Sequence, residues 1–141
     1  MRALVLAIVC VLGLEATSAA EDAAFVVIVH LENPVAKLDK KTIADAFLKK
    51  RTRWSHDQTI QPVDQSKGSR IRAQFSEGVL ERSIAAVRTY WNRLVFSGRG
   101  VPPPELASDA DVIRYVTTRA GAIGYVSRAA EIKGVKVVQV N

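Results

Sequence analysis

The residues best suited to chemistry stand together in Ser66-Lys67-Gly68-Ser69-Arg70, with Arg72 two positions further on. Two hydroxyls, a flexible glycine and the cations Lys67, Arg70 and Arg72 can offer an oxyanion short hydrogen bonds and positive charge. A helix beginning at Ser69 would add backbone N–H groups without partners and the positive end of its dipole. The same residues also make an ordinary helix start, in which Ser69 caps its own helix and the arginines are solvated. Residue chemistry alone leaves both readings open.

Other chemistry has less support. His30 and His56 have no neighbours at metal-ligand spacing, so no metal site is expected. There is no G-x-S-x-G elbow, Walker loop or dinucleotide fingerprint, and we expect no catalytic residue and no cofactor. The single cysteine, Cys10, and the single methionine, Met1, both fall in the first twenty residues. That stretch carries Arg2, the apolar run Ala3 to Leu14 and the small residues Ser18, Ala19 and Ala20, the pattern of a secretory signal peptide. Cleavage is expected after Ala20. Residues 21–141 would then form one domain without disulfides or thiolate ligands, in a bacterial periplasm. Lys and Arg total 20 against 14 Asp and Glu, a formal net charge of +6. This balance favours anionic partners, and export argues against nucleic acid among them.

The elements that must position the Ser66 to Arg72 stretch follow from hydrophobic periodicity. Phe25 to Leu31 is a β-branched apolar run of strand length, stopped by Asn33-Pro34, and is expected to be a central strand. Asp39 caps a helix that runs to about Arg51, with Ile43, Ala46 and Phe47 on one face and lysines on the other. Ile60 to Val63 is a short strand delivering the chain to the candidate stretch. Ile71, Phe75 and Val79 then fall at i, i+4 and i+8, predicting a helix from Ser69 to about Leu80. A further helix runs from Ser83 through Val87, Trp91 and Val95, and the loop Ser97 to Pro104 ends its periodicity. Ser108 and Asp111 have capping-box spacing ahead of Val112, Tyr115 and Val116. Gly121 to Val126 and Val135 to Val140 supply two more strands. Strands interleaved with helices predict an α/β domain with helices packed on a mixed or parallel sheet.

The order of these pieces is similar to one known family. The run LDKKTIADAFLKKRTRWSHDQTIQPVDQSKGSRIRAQF, followed by YWNRLVFSGRG and RAGAIGYV, resembles the periplasmic substrate-binding proteins of phosphate ABC transporters. Ala46-Phe47-Leu48-Lys49, Trp54, Phe75 and Gly121 to Val126, in this order, carry the likeness. The resemblance implies a single-lobe periplasmic-binding-protein-like fold of the type II class. It also implies an anion site at Ser66, Lys67, Gly68, Ser69, Arg70 and Arg72, where the family keeps a contact turn of the form R-S-D-G-S-G-T. Asp64 stands where that turn has its arginine.

The implied function is weak binding of phosphate or a similar oxyanion by an exported protein that is not an enzyme. Its partner would be an ABC permease or another periplasmic protein, with membrane contact only through that partner. The alternative is a ligand-free periplasmic interaction module, docking through the basic face of Lys37 to Arg53 or the Gly98 to Pro104 loop.

Overall fold

The computed structural model describes residues 24–141, and the expected signal peptide at 1–20 lies outside the described residues. The first strand, β1 (Phe25–His30), sits at the centre of a five-stranded sheet. It runs antiparallel to β6 (Ala122–Ser127) on one side and to β7 (Val135–Val140) on the other. Two short strands complete the edges in parallel register, β2 (Lys37–Leu38) beside β7 and β3 (Gln61–Pro62) beside β6. The sheet is therefore mixed, as expected. A separate parallel pair, β4 (Asp64–Gln65) and β5 (Glu105–Leu106), lies where the chain leaves β3.

Strand alternation divides the core between the two faces of the sheet. Val27 and Val29 of β1, with Ile123 and Tyr125 of β6, pack against α1 (Lys40–Phe47), α2 (Arg70–Phe75) and α3 (Ile84–Phe96). Ile28 and Val126 face the other way, onto Val112 and Val116 of α4 (Asp109–Thr117). Gly124 lies on this second face. A Cβ there would stand 2.8 Å from Val112 Cγ1 and 2.9 Å from Val63 Cγ1, so the missing side chain sets how closely α4 approaches β6.

The helix boundaries show where local signals were complete. Asp39 accepts from the Thr42 N–H at 2.8 Å and caps α1. That helix stops at Phe47 rather than near Arg51, because Lys49 turns into the left-handed region with φ 54°. Ser83 caps α3 and Ser108 caps α4, each accepting the N–H three residues on at 3.1 Å. Asp111 does not complete the reciprocal half of a capping box, since its carboxylate pairs with Arg114 at 3.1 Å. The Ile71, Phe75, Val79 stripe does run as one continuous rod, but its second half, Ser76–Leu80, is wound as a π-helix. The wider winding ends at Glu81, with φ 54°.

Candidate functional site

The chain enters the site from Val63, which is fully buried, and the next two residues form β4 against β5. The turn Ser66 to Ser69 closes with the Ser69 N–H donating to the Ser66 carbonyl at 2.9 Å. Ser69 then caps α2, its Oγ accepting from the Arg72 N–H at 3.2 Å and donating to Gln65 Oε1 at 2.7 Å. The Ser66 hydroxyl donates to the Leu106 carbonyl at 3.2 Å. Both hydroxyls of the stretch are therefore engaged within the fold. Gly68 and Arg70 are exposed.

Arg72 points inward, its side chain only 8 % accessible. Its guanidinium donates to Glu105 Oε1 at 2.6 Å and to the Gln65 carbonyl at 2.9 Å, and lies 3.6 Å from Asp64 Oδ2. Asp64 also accepts from the Tyr125 hydroxyl and from the Gln65 N–H. Phe75 stacks on the Tyr125 ring with centroids 3.9 Å apart, which fixes the direction of that hydroxyl.

The charges in this network are unequal in footing. Burial pushes the Asp64 carboxyl above its ordinary range, against the pull of Arg72, Tyr125 and the Gln65 N–H. Burial also lowers the Arg72 guanidinium, but Asp64 and Glu105 together outweigh it and its pKa rises. Arg72 therefore stays charged, and its closest carboxylate is Glu105 rather than Asp64. Tyr125 is raised first by burial and then by the neighbouring Asp64, so its hydroxyl is a donor throughout the accessible pH range.

Asp64, Arg72 and Glu105 form part of the wall of a small hollow of about 180 Å³. Its other walls are Lys67, the α3 residues Ile84, Arg88, Trp91 and Asn92, and Pro102 and Pro103. Of the six residues expected to hold an anion, only Lys67 and Arg72 line this hollow. Arg88 was not among them, because it lies on a different helix and carries no local motif. Among the described residues, neither the Lys67 nor the Arg88 side chain has an ion-pair, hydrogen-bond or ring partner. A larger concavity of about 860 Å³ lies elsewhere, between β1, β7 and the π-helical turn, with largely apolar walls. Its rim includes Ala24, the first described residue.

Residues 22–140 match the family model described as a PBP superfamily domain. The chain belongs to the PBP superfamily. Three solved structures show what this PBP domain is similar to. One is an ABC-type phosphate transport receptor from Vibrio cholerae, with a TM-score of 0.65 at 20 % identity over 83 % of this chain. A second is a putative phosphate ABC transporter substrate-binding protein with bound phosphate from Clostridium perfringens, with a TM-score of 0.64 and 25 % identity over 83 % of this chain. A third is a possible phosphate binding protein from Planctomyces limnophilus, with a TM-score of 0.60 and 16 % identity over 84 % of this chain. This PBP domain spans less than half of each of them, 46 %, 44 % and 41 % of their lengths. No curated protein matches the chain. The likeness to the substrate-binding proteins of phosphate transporters, and the α/β fold with a mixed sheet, are therefore as the sequence implied.

Proposed function

We propose that this PBP domain is an exported, solute-binding-like protein that holds phosphate or a similar oxyanion weakly in the hollow between the Asp64 to Arg72 segment and α3. One observation carries this reading. Lys67 and Arg88 line a hollow in which Arg72 is already held by Asp64 and Glu105, so two unpaired cations bring its five charged groups to a net +1 and stand free to meet an anion. In this reading Gly68 and Arg70 lie outside the hollow, and Ser66 and Ser69 hold the turn in shape rather than touching the ligand. The phosphate-related solved structures support the ligand class.

The expected affinity is modest. Two charge-assisted hydrogen bonds give roughly 3 to 6 kcal/mol before association costs of about 4 kcal/mol or more. The net is about 2 kcal/mol at most, which corresponds to a Kd on the order of 30 mM, whereas micromolar binding needs about 8 kcal/mol. Phosphate at a few times that Kd, on the order of 0.1 M, raises the melting temperature by a few degrees, compared with chloride at matched ionic strength. In a Lys67→Ala, Arg88→Ala double variant the shift is expected to vanish while the melting temperature in chloride stays close to wild type, because neither side chain contributes to the fold. Equal melting in the two buffers, or an unchanged shift in the double variant, overturns the proposal.

A further inference from the structure

The end of α3 carries a feature that oxyanion binding does not use. Phe96 is 92 % exposed, with Val101 at 65 % and Val95 at 49 %. These are three of the five large hydrophobic residues that are exposed in the described chain, and they fall within seven consecutive positions. The turn that presents them is braced. The Ser97, Gly98 and Arg99 N–H groups donate to the carbonyls of Arg93, Val95 and Leu94 at 3.2, 3.1 and 2.9 Å, and Gly100 comes to rest beside the buried Trp91 ring.

The charged residues of the segment that carries this apolar tip have one sign. Residues 82–104 contain Arg82, Arg88, Arg93 and Arg99, with no Asp, Glu or Lys. Arg82 covers the Tyr90 ring, whereas Arg93 and Arg99, on either side of Phe96, have no side-chain partner among the described residues. Exposed aromatic and Arg side chains without Lys, Asp or Glu are the composition of a protein interface core. A planar guanidinium is also matched to a carboxylate fork.

We propose that Arg93, Phe96, Arg99 and Val101 form a docking surface for an acidic protein partner, one that presents carboxylates around an apolar contact for Phe96. A second copy of the chain does not fit, because a two-fold contact through this tip would bring together two patches whose charged groups are all arginine. An anionic membrane fits less well, because it draws on Lys and Arg alike and the lysines of this chain all lie outside 82–104. A preformed turn lowers the ordering cost of docking a partner.

The test is an amide-resolved NMR titration in phosphate-free, low-salt chloride buffer, which keeps it separate from oxyanion binding. The probe is a synthetic acidic peptide rich in Glu, Leu and Trp, compared with polyglutamate and with phosphatidylglycerol vesicles. Shifts confined to residues 91–101 are expected with the peptide. The apparent affinity should fall about tenfold or more in Phe96→Ser, and binding should be lost in Arg93→Glu, Arg99→Glu. All three substitutions are at exposed positions and should leave the melting temperature unchanged. No shifts at 91–101, equal binding of polyglutamate, binding to vesicles but not peptide, or a dimer in sedimentation that Phe96→Ser dissolves would each overturn the proposal.

Discussion

Arg72→Ala is expected to lower the stability of the domain by about 3 to 5 kcal/mol, measured by urea or thermal unfolding. The guanidinium is buried, closes on Glu105 at 2.6 Å and on the Gln65 carbonyl at 2.9 Å, and is the cation nearest Asp64. Its removal leaves a buried carboxylate with only the Tyr125 hydroxyl and a backbone N–H to hold its charge. The deficit should depend on pH in a defined direction. Burial already raises the Asp64 carboxyl in the folded state, and losing the Arg72 charge raises it further. A carboxyl raised on folding adds stability that is complete below its unfolded pKa, about 3.9, and is lost as pH rises through the folded value. The variant therefore loses stability over a wider range above pH 4 than wild type does. Its deficit is largest near neutrality and shrinks as the buffer approaches pH 4. Arg70→Ala, two residues away and exposed, is the control and should stay within about 0.5 kcal/mol of wild type. A variant at Arg72 with the same stability as that control would show that the buried ion pairs carry no net weight.

Gly121→Ala is expected to cost about 3 kcal/mol or more, for steric rather than electrostatic reasons. A Cβ at this position would lie 2.0 Å from the Thr59 carbonyl oxygen, a backbone atom that no rotamer change can move aside. The Gly121 carbonyl accepts from the Gln61 N–H and from the indole N–H of Trp54, both at 3.0 Å. Displacing it loosens the contact of β3 with β6 and the anchorage of Trp54 together. Unfolding curves should show the loss directly. A variant as stable as wild type would mean that the Trp54 to Ile60 loop can slide without cost.

These two positions mark what was and was not legible in the sequence. The strands at 25–30 and 135–140 declared themselves through β-branched runs, the strand at 122–127 as the segment that follows the Gly121 turn, and the caps Asp39, Ser69 and Ser108 through residue type and spacing. Ser69 showed both of its alternatives at the sequence level, and its Oγ caps α2. Arg72 was legible only as a cation. Whether it faces solvent or a carboxylate depends on Glu105, which lies 33 residues away on β5, and no local pattern announces that pairing. Arg88 was hidden for the same reason, since α3 meets the 64–67 segment only through the fold. The π-helical winding of Ser76–Leu80 was invisible because an apolar stripe has nearly the same spacing in either helix.

Gln65 joins two elements that the sheet otherwise separates. Its side-chain amide donates to Asp109 in the first turn of α4 and to the Tyr125 carbonyl, while its Oε1 accepts from the N-cap hydroxyl of α2. One planar group thus holds the starting turns of two helices that pack on opposite faces. In the language of local opening, neither start can fray without releasing a hydrogen bond on which the other depends. Amide exchange at the beginnings of α2 and α4 should therefore proceed as a single cooperative event, which makes the turn beside the hollow as slow to open as the helix behind the sheet.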